Sequence, residues 1–335
     1  MPDFGFPAQP RQQSLSDMIA LLRKRSDTAR IESVTGRSAD AAAKLSGQIG
    51  SVMQIEKSIR DLQNYGEAIA LSEVRASTTQ TSLDRIVTAS QDLADAATIY
   101  LTSGSLQNGV TLATQGLSAL SDITSALNVS ISGRALFAGD DATSGAIIDA
   151  DTIMTQIVPL IEAAPDSATA LAAVDQAFNT AGGLFDTAFY QGGAGDAPQT
   201  EIAVGVTVDY AMRADDAALR EVLSGVVAVA AAIDPSTNVS DTMRDTLFSS
   251  AVTVLRSSIA GVIGLQGELG VSEQRIATVK ARNIANEASL TLTYNELTGV
   301  DQYESVLRLT GLEDQLETAF ATTARLSNLS LTNYI

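Results

Sequence analysis

The side chains able to do chemistry in this 335-residue chain are carboxylates, hydroxyls and a few amines, because cysteine and histidine are both absent. Without cysteine there are no disulfides, thiolate nucleophiles or thiolate metal sites. Without histidine the usual neutral-pH acid/base and the commonest transition-metal ligand are missing. Asp140-Asp141 with Asp149 and Asp151 has the oxygen chemistry of a hard-cation site. The stretch lacks the twelve-residue pattern closing on Glu that a calcium loop needs, so it reads as a solvated acidic turn. Glu162, Asp166 and Asp175 offer an acid/base pair only if the fold brings two of them together; their spacing fixes no separation, and they read as surface charges. Asp215-Asp216 stands just before Ala217, where negative charge favours a helix start. No catalytic residue, metal ligand or cofactor site is assigned.

The informative spacing is apolar. Leu309, Leu312, Leu316, Phe320 and Leu326 recur every three or four residues, with Thr323 filling one turn, and so lay a stripe along a helix. Glu313, Asp314, Glu317 and Arg325 take the opposite face. A stripe this narrow needs a partner helix, from this chain or from another copy. Leu329, Leu331, Tyr334 and Ile335 continue the apolar character to the last residue. Such an end is either docked on its own domain or buried only in an assembly. Near the other terminus, Leu15, Met18 and Leu22 start a similar stripe, with Ser14 or Ser16 as its cap after an irregular lead-in over residues 1–13.

Composition sets the class. Hydrophobic residues make up 45% but aromatics only 4%, with no Trp, so the apolar mass is aliphatic and suits close-packed helices. The net charge of −18, with only four lysines, disfavours nucleic acid and anionic membrane surfaces as partners. No charged segment followed by a long apolar run opens the chain, so no cleavable secretory signal is expected. The most apolar run, Val222–Ile233, is too short to span a bilayer and suits a buried helix.

Read in order, the helical signal weakens at residues 33–40, where Gly36 looks like a stop and Ser38 a new cap. Leu45, Ile49, Val52, Ile55, Ile59 and Leu62 then open one long helix, or two nearly continuous ones, over 40–101. After a break at 103–109, Val110, Ala113, Leu117, Leu120, Thr124, Leu127 and Ile131 run back in heptad spacing. From Ala135 to Asp215 the chain carries twelve acidic residues and one basic, Arg213, a net −11 of the total −18. Helices are expected at 150–163 and 167–186. The alternation of Ile202, Val204, Val206 and Val208 predicts a strand. Helix returns at 214–233, stops at Asp234-Pro235 and restarts at Ser240 or Asp241. Gly261, Gly264, Gly267 and Gly270 must be matched by close helix approach or by a break. A seam diluted with polar residues, from Ile276 to Leu297, follows them.

The fold class is therefore mainly α: long helical arms from both termini packed as a coiled-coil-like bundle, with a small α+β insertion in the middle. The segments are 1–39 (lead-in and first terminal helix), 40–134 (first half of the bundle), 135–213 (insertion), 214–299 (second half) and 300–335 (last terminal helix).

That layout resembles the flagellin and flagellar hook-associated protein family. VTGRSADAAAKL (34–45) resembles its turn between the first two N-terminal helices. ALFAGDDATSG (135–145) is similar to the segment closing the N-terminal arm in its hook–filament junction members. The closing runs VDQYESVLRLTGLEDQLETAF and TARLSNLSLTNYI resemble the C-terminal signature of those members. The penultimate Tyr334 fits, whereas Thr332-Asn333 replaces the usual leucine-aspartate pair. The resemblance implies a non-enzymatic structural subunit, secreted to the flagellum through its type III channel without a cleaved signal. It also implies a homo-oligomeric ring joining a neighbouring hook-associated protein to flagellin, and an export chaperone on the C-terminal helix. The assembly interface would be Leu309, Leu312, Leu316, Phe320, Leu326, Leu329, Leu331 and Tyr334, together with Leu15, Met18 and Leu22. A flagellin forming the filament itself is the alternative, and a ligand-binding or enzymatic insertion is the third reading.

Overall fold

A computed structural model describes the backbone over residues 9–40, 44, 49–103, 106–141, 145–195, 199–208 and 210–332. Within those ranges the side chains of 9–13, 15, 103, 106–108 and 326–332 lie outside the described residues. The architecture is mainly α. Helices run over Gln9–Thr35 (α1), Ile49–Ser103 (α2), Leu106–Leu127 (α3), Ala150–Glu162 (α4), Ser167–Asn179 (α5), Ala217–Ile233 (α6), Asp241–Thr298 (α7) and Gln302–Thr332 (α8). Two small antiparallel hairpins interrupt them: β1 (Ser130–Ile131) with β2 (Arg134–Ala135), and β3 (Thr200–Ala203) with β4 (Val206–Val208). The chain divides into two units, residues 64–283 and residues 1–63 with 284–335.

The larger unit is built round α6. Asp216 accepts from the Ala218 amide at 2.9 Å and so starts the helix where the acidic pair predicted. Every residue from Val222 to Ile233 is buried. Small side chains let the neighbours close in: a Cβ on Gly116 of α3 would stand 2.9 Å from the Ala230 Cβ. At the far end Arg244 donates to the carbonyls of Ala232 and Asp234, at 3.0 and 2.6 Å, and so satisfies groups that a helix C-terminus leaves orphaned.

Several expectations are corrected in detail. α1 starts at Gln9, ahead of Ser14, because Pro10 is tolerated in a first turn. α3 already includes Leu106–Gly109 and stops at Leu127, so Val110 is exposed while Ile131 falls in β1. α5 ends at Asn179 rather than 186. Gly182, at φ +75°, turns the chain, and a π turn over Phe185–Phe189 then sets both rings against Phe178, with centroids 6.0 and 5.4 Å away. The alternating stretch is a hairpin, not one strand. Gly205, at φ +67°, reverses it, leaving Val204 exposed while Ile202 and Val208 are buried. α7 runs unbroken through its four glycines. A Cβ on Gly261 would meet the Ala218 Cβ at 3.0 Å, but the other three have nothing within 4 Å. α7 also holds an 18-residue window of mean hydropathy 1.5, long and apolar enough to cross a membrane by composition, with 44% of it buried.

The motif Leu136-Phe137-Ala138-Gly139 is a core element of this unit. Phe137 is fully buried, and its carbonyl accepts from the Ala214 amide at 2.9 Å. Gly139 sits at φ +64°, where a Cβ would collide with the Gly195 carbonyl at 2.6 Å.

In the smaller unit α1 ends at Gly36. Its φ of +65° and the bond from its amide to the Glu32 carbonyl at 2.9 Å make a left-handed C-terminal turn. This is the stop the sequence marked. The Ser38 amide donates to the Thr298 carbonyl at 3.0 Å, and the Val300 amide to the Gly36 carbonyl at 2.9 Å. Those bonds hold the connection after α1 against the one before α8. Asp301 then caps α8 by accepting from the Tyr303 amide at 2.8 Å.

Candidate assembly interface

α1 and α8 pack along a narrow seam. On α1 the inward residues are Ile19, Leu22, Ser26 and Ala29, at spacings of three, four and three. On α8 they are Ser305, Leu309, Leu312, Leu316 and Ala319, at four, three, four and three. This is the 3.5-residue repeat of a coiled coil. The helices run antiparallel: Arg30 pairs with Glu313 at 3.8 Å, and the Arg23 guanidinium lies 5.1 Å from the Phe320 ring centre.

Four of the expected interface residues, Leu22, Leu309, Leu312 and Leu316, meet inside this seam. Phe320 does not. The seam continues through Ala319, and Phe320 stands on the flank, 44% exposed, with Arg23 over one face. Met18 is likewise exposed, on the rim of a groove of about 400 Å³ that Leu22, Thr318, Ala319 and Thr322 also line. Leu15, Leu326, Leu329 and Leu331 fall in α1 and α8, but their side chains lie outside the described residues, as does Tyr334 altogether.

Sequence reasoning missed Glu32, which is buried three residues beyond Ala29 on the same stripe. Its Oε2 faces Arg308 at 3.4 Å, and its Oε1 accepts from the Ala39 amide at 3.2 Å. A charged residue continuing an apolar stripe was the available signal.

The carboxylates considered for chemistry serve separate structural ends. Asp149 accepts from the Thr152 amide and hydroxyl at 2.9 and 2.8 Å and caps α4. Asp166 caps α5 through the Thr169 amide at 2.8 Å. These backbone bonds, foremost among the causes, hold both carboxyls below their ordinary range. Glu162 accepts from the Asn238 amide at 2.7 Å, Asp175 from Asn179 at 2.8 Å, and Asp140 from the Gly195 amide at 3.0 Å. Among the described residues no group of three or more acidic side chains is placed to hold a metal ion. Arg213 pairs with Asp215 and donates to the Ala194 carbonyl at 2.6 Å, tying the glycine-rich loop to the isolated backbone bridge between Arg213 and Ala138. Burial, then the Asp215 charge, pushes the neighbouring Tyr190 hydroxyl up, while bonding to Asp215 pushes Arg213 up.

This mainly α architecture with its small central α+β insertion is similar to solved structures of flagellar hook-associated proteins. A Vibrio parahaemolyticus protein assigned to that class matches with a TM-score of 0.54 at 17% identity, over 73% of this chain and 95% of its own. The second solved structure is more particular: FlgL of Bacillus cereus, with a TM-score of 0.51 at 15% identity, over 72% of this chain and 98% of its own. At such identities the likeness is one of fold. No family model and no curated protein matches the sequence.

Proposed function

We propose that this chain is a non-enzymatic structural subunit of the bacterial flagellum, forming a ring between hook and filament through its terminal helices. One observation carries the reading: two hook-associated structures match over 95% and 98% of their own length, and the α1–α8 pair of this chain leaves large apolar side chains exposed. The motif resemblance at residues 135–145 and 300–335 favours the junction position over the filament. On this reading the ring joins a neighbouring hook-associated protein to flagellin, and an export chaperone holds α8 beforehand as an amphipathic helix in a groove. The interface would be the exposed apolar side chains on either side of the seam, Met18 and Phe320, extended by Leu15, Leu326, Leu329, Leu331 and Tyr334, with Leu22, Leu309, Leu312 and Leu316 holding the pair that presents them.

The test is assembly. Phe320→Asp changes an exposed flank and is expected to block filament attachment while the purified chain keeps its helicity. Leu316→Asp is expected to block attachment and also to loosen α8. Normal filaments on hooks in both variants would overturn the proposal. Purified chain polymerising alone into long tubes would favour flagellin instead. An insertion with a ligand of its own would show saturable binding or ligand-dependent melting.

A further inference from the structure

At the base of the α1–α8 pair the helices turn their apolar residues outward. Val34 is 77% exposed and Tyr303 74%, with Ile31, Val306 and Leu307 also exposed. The residues facing inward there are Glu32, 5% exposed, and Ser305, 1% exposed. Rotating α8 to bury Tyr303 and Val306 would expose Leu309, Leu312 and Leu316, which favour the observed face along the rest of the helix. At the base, where the seam holds no large apolar side chain, a polar contact takes its place.

We propose that Glu32 is a specificity-determining residue of this pair, adding to the leucine seam in selecting which face of α8 meets α1. Glu32 is the one charged residue buried among the described residues. Its carboxylate joins three elements. Oε1 accepts from the Ala39 amide at 3.2 Å and the Ser38 hydroxyl at 3.5 Å, in the turn after α1, and Oε2 meets Arg308 on α8 at 3.4 Å. Glu304 holds the same guanidinium at 2.9 Å and so aims it. Rotating α8 would carry Arg308 away and leave a buried carboxylate short of its cation, a cost the exposed Tyr303 and Val306 do not offset. The other cross-pair bridge, Arg30–Glu313, is more than half exposed on both sides and adds little. The backbone bonds at Gly36, Ser38, Thr298 and Val300 act on the connections and stop short of the helix faces. A buried polar group that fixes the pairing of a thin apolar seam is a known use of such groups. The inference rests on the geometry of one chain and holds whether or not the chain assembles into a ring.

The absence of cysteine makes the test direct. In the full chain, Arg30→Cys with Glu313→Cys reports the observed face. Arg30→Cys with Gly311→Cys reports the far face, two residues and about 200° round the helix. With Glu32 present, a short bismaleimide is expected to link the first pair at least about tenfold more than the second. With Glu32→Leu and Arg308→Leu together, the leucine seam remains and the ratio is expected to fall at least about threefold while thermal stability is kept or raised, because apolar residues often replace a buried ion pair without loss. An unchanged ratio in the double variant overturns the proposal. If the double variant fails to fold, Glu32→Gln decides by the same ratio: loss of preference supports the role and an unchanged ratio overturns it.

Discussion

Gly225 of α6 lies directly under Leu255 of α7: a Cβ on Gly225 would stand 2.9 Å from the Leu255 Cα and 3.2 Å from its amide nitrogen. Backbone cannot yield as a flexible side chain can, so the absence of a side chain is what lets the two helices approach. Gly264, further along α7, has nothing within 4 Å. The two glycines therefore predict opposite signs. Gly225→Ala is expected to lower the stability of the larger unit by about 1–3 kcal/mol through overpacking. Gly264→Ala is expected to raise it by about 0.5–1 kcal/mol, by the lower backbone entropy of alanine in a helix interior. Urea midpoints of the two variants measure both, and a shift of the same sign in each would refute the packing argument.

The insertion should be acid-sensitive through its helix caps. Asp149 and Asp166 titrate below their ordinary 3.8, first because the Thr152 and Thr169 amides donate to the ionised forms. Their folded-state values lie below the unfolded ones. The stabilisation is therefore present above the unfolded value and is lost as pH falls through the folded one. Asparagine caps a helix about as well as aspartate but does not titrate here. The melting temperature is expected to fall between about pH 5 and about pH 2, and to fall less steeply in the Asp149→Asn/Asp166→Asn double variant. Equal slopes in the two proteins would show that these caps do not contribute.

How far the fold was legible follows from the range of each signal. The buried run Val222–Ile233, the start at Asp216-Ala217, the stop at Gly36 and the seam of Leu309, Leu312 and Leu316 are local patterns with local causes, and all were readable. The strand over 201–210 misled because alternation is the same for one strand as for a hairpin; only the positive φ at Gly205 separates them. The glycines of α7 misled differently. They imply a break or a close neighbour, yet the helix tolerates three of them facing open space. Phe320 looked like a seam residue because it is large and stands four after Leu316. Ala319 won the position because the 3.5-residue repeat, not side-chain size, decides what faces the partner. Glu32 and Arg308 lie 276 residues apart in sequence, so no pattern along the chain could pair them.

The pair α1–α8 should be the least protected part of the structure in the isolated chain. α6 buries thirteen residues of its seventeen, on all sides. The described core of the terminal pair is thin: Ile19, Leu22, Ala29 and Leu312 are buried, with Leu309, Leu316 and Ala319 half-covered beside them. Few buried apolar contacts and a largely solvated backbone mean cheap local opening, so the amides there exchange without global unfolding. Hydrogen exchange on the monomer is expected to be faster over 14–35 and 302–325 than over 217–233 by about two orders of magnitude. Adding Phe320→Asp should leave that difference nearly unchanged, since the ring is on the flank, whereas Leu312→Asp should abolish protection in both terminal helices together. If the purified monomer protects 302–325 as strongly as α6, the pair is already a finished core. The exposed flank would then have to be explained without appeal to a surface that assembly completes.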